Sequence, residues 1–435
     1  MRVLSRQVPH RSGRLLVRTV AVPDPGDLLE RIPQPGVVAW VHHGAGLAGW
    51  GEAVRVTLPA GDDRFTAGEK WLRSVFDAAE VDDRVQVRGS GPVAFGTFTF
   101  DASSDGSVLI VPRVVLGRDG RGRAWLTTVT EGTVTEEAEG AVADDAGPGW
   151  PVPAGPDPGA PENLRWRDGS LPGPRWEQAV AEAVAAIKAG GLRKVVLARD
   201  VFATADGPID ARVLLRRLAA RYPACFTFAC DGMLGATPEL LVRRAGHQVS
   251  ALVLGGTLPR GADQAEDLAL GEELLASAKN NEEHAYAVDS IREALGPLCE
   301  ALDVEARPSL LKFPNLQHLG TRVRGTLDSG QPPKSALGLA AAVHPPAAVC
   351  GTPAGIALDL IRELEHMDRE RYAGPVGWVD ADGNGEWGIA IRSGQLCGRT
   401  ARLFAGCGIV AGSEPAAELA ETLVKLQPMR GALEG

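Results

Sequence analysis

Lysine is nearly absent from this chain. Lys70, Lys188, Lys194, Lys279, Lys312, Lys334 and Lys425 are seven of its 45 basic residues, and arginine supplies the rest. Arginine serves for ordinary surface charge but cannot practically lose its proton. A lysine kept inside an otherwise apolar run is therefore a candidate for chemistry that needs a neutral amine. Excess positive charge is missing too: the net charge is −10, which argues against a nucleic-acid binder, whose footprint is basic. The six cysteines (Cys225, Cys230, Cys299, Cys350, Cys397 and Cys407) form no CxxC pair and no zinc spacing. Reduced thiols are the expectation, not a disulfide framework. No apolar stretch reaches the length of a membrane-spanning helix. No signal-like apolar block precedes the strand-like residues 14–22. The chain is expected to be cytoplasmic, with neither a nucleic-acid nor a membrane partner.

What is present suits a large folded core: 435 residues, 44% of them hydrophobic and 23% charged. Residues 1–140 read as β-rich, with strands at 14–22, 37–42, 51–58, 93–100, 108–116 and 123–130 and one helix at 67–80. Gly44, Gly46 and Gly49 match GxGxxG after a strand, yet the strand-like GWGEAVRVTL follows where a dinucleotide fingerprint needs a helix. A hairpin loop is the better reading. Residues 141–174, rich in Pro, Gly and Ala, read as a surface connection.

Residues 175–435 carry sharper signals. Trp176, Val180, Val184 and Ile187 mark a helix ending at Gly190-Gly191, and the strand LRKVVLARDVFA follows. Further strands read at 224–230, 239–243, 249–253, 376–380 and 386–392, and helices at 336–342 and 352–369. A long helical region, 265–302, divides near Ser277, a good N-cap. The predicted class is α+β, in layers without regular βαβ alternation. The N-terminal hairpins lack helices of their own and must pack on the C-terminal half, giving one compact unit.

Candidate chemistry begins in the last stretch, where a glycine-punctuated strand (403–411) breaks at Gly412 and a helix starts with Ser413 as its expected N-cap. Glu418, Glu421 and Lys425 then share one helix face. That spacing suits a hard cation and an anionic ligand; it equally suits a solvated Glu–Lys pair. Lys194 opens the strand KVVLAR, Glu239 sits in GATPEL at a strand mouth, and Glu283 lies in the first turns of a helix. His318 and His344 read equally well as core histidines, and Arg392 ends the alternating run EWGIAIR. None of these positions identifies a chemistry alone.

Their order does. KVVLAR, GATPELLV, GGTLPRG, SAKNNEEH, LQHLGTRVRG, HPPAAVCGTP, YAGPVGWVDADGNGEW and AGCGIVAGSEPAAELAETLVK together resemble the chorismate-using enzymes, most nearly their isochorismate synthase branch. The resemblance is dense from Trp176 to Met429. It implies the chorismate-binding fold, two large mainly antiparallel sheets facing each other with helices outside, and a monomer or a weak homo-oligomer. It also implies a magnesium-dependent isomerisation of chorismate to isochorismate, feeding menaquinone, catechol siderophore or salicylate synthesis. By the same resemblance Lys194 is the general base and Glu239 the general acid. Glu283 and Glu421 are magnesium ligands, with Glu418 acting through water. Tyr372 and Arg392 hold the enolpyruvyl carboxylate, and Gly256, Thr257, His318, His344, Gly408 and Lys425 line the substrate site. Gly255 stands where the aminodeoxychorismate branch carries a nucleophilic lysine, and Ala348 where pyruvate-releasing relatives carry threonine. Both favour retention of the enolpyruvyl group. Asn280 departs from an acid common in relatives.

Overall fold

The first strand, Leu15–Val22, buries alternate side chains over most of its length, as its period-two pattern requires. The computed structural model describes residues 14–33, 35–132, 159–330 and 333–435. The expected GxGxxG hairpin is a two-residue turn: His43 and Gly44, both at positive φ (50° and 73°), join Val37–His42 to Ala45–Leu58. Two positive φ values in succession match the twist of the flanking strands. A side chain at Gly46 would lie 2.0 Å from the Trp40 carbonyl oxygen, so this glycine serves close strand packing, not a cofactor. The predicted N-terminal helix is Arg64–Asp77, and the strand Glu80–Asp83, unforeseen, pairs in parallel with Leu15–Val22.

Most of the strands form two antiparallel runs joined at Ser107–Arg118. One run passes through Ala45–Leu58, Val37–His42, Phe226–Cys230, Met233–Thr237, Ser393–Cys397 and Thr400–Ile409 to Lys194–Thr204. The other leaves Ser107–Arg118 by Val93–Thr97 and continues through Pro375–Asp380, Gly385–Ile389, Leu240–Ala245 and Gln248–Pro259 to Leu316–Leu327. Two mainly antiparallel layers with outer helices were expected. The shared strand adds that they form a single hydrogen-bonded network. One core cluster takes side chains from both runs, among them Trp40, Phe228, Leu197, Val242 and Trp387.

Part of the expected connection at 141–174 lies outside the described residues. The rest is structured: Arg165–Asp168 pairs with the far end of Lys194–Thr204, and a helix begins at Gly173. The helix expected at 352–369 is shorter, Ala354–Glu365, because Gly351–Thr352 pairs with Val195 and Lys194 instead. The divided region near Ser277 becomes helices Gln264–Ala276 and Ala278–Leu295. Among the described residues no helix is long and apolar enough to cross a membrane.

Candidate active site

Lys194 opens its strand between Thr352 on one side and the Ile409 end of Thr400–Ile409 on the other. Its side chain is 1% exposed, and its Nζ lies 3.3 Å from Glu283 Oε1. The carboxylate arrives from the helix Ala278–Leu295, whose start is fixed by Ser277 Oγ accepting the Asn280 amide at 3.3 Å. Gly408 makes the meeting possible. A Cβ there would stand 2.0 Å from Glu283 Oε1 and 3.1 Å from Lys194 Cε.

Glu239 lies on the crossover between the two runs, after Met233–Thr237 of one and before Leu240–Ala245 of the other. Burial pushes its carboxyl up to about 7, while Lys194, an N–H donated by Leu254, Arg392 and Lys425 hold it from rising further. A carboxyl poised there can donate a proton near neutral pH. A strand start and the crossover between the runs thus bring amine and acid into one site.

His318 and Arg392 form a second wall. The Arg392 guanidinium donates to His318 Nε2 at 3.2 Å, which leaves Nδ1 to carry the proton beside the Gly256 carbonyl (3.1 Å) and Thr257 Oγ1 (3.0 Å). Burial first, then Arg392 and Lys425, keep this imidazole neutral well below its ordinary value. Arg392 was expected to end a strand. That strand stops at Ile389, and Arg392 follows at φ 51°, a left-handed turn that carries its side chain to His318. Gly256 also has positive φ (60°), and a Cβ there would meet Asn280 Cβ at 2.9 Å.

The C-terminal helix, Pro415–Glu434, supplies the acids. Its N-cap residue is Glu414, not Ser413: the Ser413 hydroxyl accepts the Val410 amide at 3.2 Å and closes the preceding turn. Lys425 Nζ bonds Glu421 Oε1 at 2.5 Å and the Gly406 carbonyl at 2.9 Å. Burial would lower this ammonium, but Glu421 and its neighbours prevail and raise it. Tyr372, stacked on Phe404 at 4.9 Å, would touch a Cβ at Gly406 with its hydroxyl, and burial pushes its phenol up to about 12.

Two expectations change. His344 does not join this cluster: its Nε2 is 2.9 Å from the Phe100 carbonyl, with its ring against Phe65 and Phe100. Burial pushes it down to about 3, so it is a neutral core histidine satisfied by backbone. The three acids expected to share a metal also divide. Glu418 and Glu421 come together with Cys407, their ligand atoms within 4.8 Å of one another, while Glu283 pairs with Lys194. Burial, then Glu421, raise the Cys407 thiol well above its ordinary value, so it stays a soft, neutral group that a hard cation would not choose. The Glu418–Glu421 pair does fit such a cation. Burial and the neighbouring Glu421 charge both raise Glu418, and a positive ion relieves both.

Lys279 is the residue sequence reasoning passed over. Its Nζ bonds Glu418 Oε1 at 2.8 Å, and Glu283 and Glu421 lie within its electrostatic reach. Its position four residues before Glu283, in a chain so poor in lysine, was the available signal. His284, in the same helix turns as Glu283 but given no role by the sequence, has its Nε2 2.8 Å from Thr321 Oγ1, and a Cβ on Gly255 would lie 2.9 Å from its Nδ1. A lysine at position 255 would have to displace that ring.

A cavity of about 290 Å³ lies elsewhere, among Trp40, Arg88, Arg118, Arg243 and Glu386. There Glu386 already holds Arg88 and Arg243 (2.8 and 3.0 Å) and Asp24 holds Arg118, whereas the acid and amine suited to proton transfer meet at Lys194.

Known proteins share this arrangement's fold and sequence. Over 396 residues the chain is 36% identical to isochorismate synthase MenF of Bacillus subtilis (strain 168), covering 85% of this chain and 80% of that protein. Over 269 residues it is 42% identical to isochorismate synthase DhbC of the same organism, covering 59% and 67%. MenF, the menaquinone-specific isochorismate synthase from Escherichia coli, superposes with a TM-score of 0.77 at 25% identity, over 97% of this chain and 95% of that one. The family model described as chorismate binding enzyme spans residues 22–434, so the interlocked strands of both halves, and the acids and amines between them, belong to a member of the chorismate binding enzyme family.

Proposed function

We propose that this protein is an isochorismate synthase. It takes chorismate, adds the oxygen of water at carbon 2 and expels the 4-hydroxyl, with the enolpyruvyl group retained. The observation that carries the reading is the pairing of a buried amine, Lys194, with a buried carboxyl, Glu239, held near 7 within its electrostatic reach. The relatives' names agree with it.

Lys194 takes a proton from water as the oxygen bonds carbon 2. The ring double bonds shift, the bond from carbon 4 to oxygen breaks, and Glu239 delivers the proton with which the hydroxyl departs as water. One water enters and one leaves, so the net change is an isomerisation. For Lys194 to accept a proton, Glu283 must release it. Arg392 grips the enolpyruvyl carboxylate, with Tyr372 beside it, and neutral His318 fixes the guanidinium. Glu421, Glu283 and, through water, Glu418 would hold a magnesium ion, which supplies positive charge for the ring carboxylate when bound.

The test is purified enzyme with chorismate and magnesium, with products separated by chromatography and pyruvate assayed in parallel. Isochorismate without pyruvate is expected; stoichiometric pyruvate would make it a lyase. Lys194→Arg should lose about 10² to 10⁴ in turnover with the fold intact, since a guanidinium cannot serve as the base. Near wild-type turnover in that variant would end the assignment of Lys194.

A further inference from the structure

We propose that the Lys279 ammonium holds the cation position of the acidic cluster in the resting enzyme and is displaced when the divalent cation binds, so that it sets how tightly that cation is held. The inference rests on the magnesium-dependent reading above and adds a residue that reading does not use.

Three lysines meet three carboxylates here: Lys194 with Glu283, Lys425 with Glu421, and Lys279 with Glu418. The first two are locked in. Lys194 is 1% exposed, and Lys425 (11%) also donates to the Gly406 carbonyl. Lys279 differs. Its side chain is 39% exposed, and among the described residues Glu418 is its single hydrogen-bond partner. Its stem can swing to solvent at the loss of one contact.

Glu418 cannot be left alone. Its side chain is 4% exposed, its backbone carbonyl lies 3.3 Å from Cys407 Sγ, and Glu421 lies within ligand distance of it. A buried carboxylate beside another needs a positive partner. Lys279, reaching across from the neighbouring helix, is that partner. The Lys279 ammonium and the water through which a dication would reach Glu418 cannot both occupy Glu418 Oε1, and an ammonium and a dication so close together repel strongly. Binding of the ion therefore expels Lys279, and the measured affinity contains the cost of breaking the Lys279–Glu418 pair.

The test is titration calorimetry of magnesium chloride into full-length, metal-stripped protein, together with melting curves with and without the ion. Lys279→Met should bind magnesium at least tenfold more tightly than wild type. Its metal-free form should melt several degrees lower, with the difference closing when magnesium is added. Lys279→Gln, which keeps a donor but no charge, should show the same tightening and guards against a folding failure of the first variant. Lys279→Arg should not tighten binding. Unchanged or weaker affinity in both neutral variants, with wild type binding normally, overturns this inference alone. Failure of wild type and variants alike to bind magnesium overturns it together with the metal reading.

Discussion

A carboxyl that titrates at about 7 is half protonated in neutral solution, and this sets the pH profile expected of Glu239. Only the protonated form can deliver the proton that the departing hydroxyl needs. The wild-type kcat/KM should therefore fall as pH rises past about 7, and Glu239→Gln should show low activity without that limb. Stability follows the same proton. Because the folded value lies above the ordinary carboxyl value of 4.5, the stabilisation is complete below about 4.5 and is lost as pH rises through about 7, by up to about 3 kcal/mol. Glu239→Gln carries no such loss and should be at least as stable as wild type at pH 8. Urea unfolding at pH 5 and 8 checks it; an equal pH dependence in both proteins would mean that Glu239 is not the group responsible. Gly408 offers a steric counterpart. A methyl there cannot coexist with Glu283 Oε1 at 2.0 Å, so Gly408→Ala should cost about 10² in turnover with a melting temperature close to wild type. These residues were legible because their motifs fall in a recognisable order. His344 was not, since its seat between Phe65 and Phe100 is set by distant chain that no local pattern records.

At the scale of elements, capping was read correctly where the side chain had one task and incorrectly where it had two. Ser277 caps Ala278–Leu295 as its sequence suggests. Ser413 bonds the Val410 amide instead, and the next helix starts on Glu414 and Pro415 without a side-chain cap bond. Serine competes for nearby backbone groups in turns as well as at caps, and the glycine-rich turn before it wins. The alternating run ending in Arg392 hid a similar change: alternation predicts a strand but says nothing of a residue at φ 51° beyond its end. Because Ser277 positions the turn that carries Lys279, Asn280 and Glu283, removing its hydroxyl should loosen both helix and site. Ser277→Ala is expected to lose about 1 kcal/mol in urea unfolding and to weaken turnover only modestly. A stability equal to wild type would show that the cap bond contributes nothing.

The whole molecule tests whether the halves seen in the sequence can stand apart. The N-terminal strand Val37–His42 pairs with Phe226–Cys230, and Val93–Thr97 pairs with Pro375–Asp380, so each run of the sheet is closed by strands from both halves. The sequence suggested this dependence through hairpins with no helix to cover them. It could not suggest that Ser107–Arg118 would be common to both runs, since strand pairing between distant segments leaves no local trace. Separation would bare the edges of four strands and open a core that includes Trp40, Phe95, Phe228 and Trp387, with exposed edges and apolar faces both unfavourable in water. A protease site engineered between residues 140 and 158 should therefore yield two fragments that co-elute as one particle in gel filtration. Turnover should be largely retained, because Lys194, Glu239, Glu283 and Glu421 all lie on the C-terminal piece while the N-terminal strands hold its sheets in register. The N-terminal fragment expressed alone should be insoluble or unfolded. Two fragments that separate in native buffer and each melt cooperatively would show instead that the halves are independent domains.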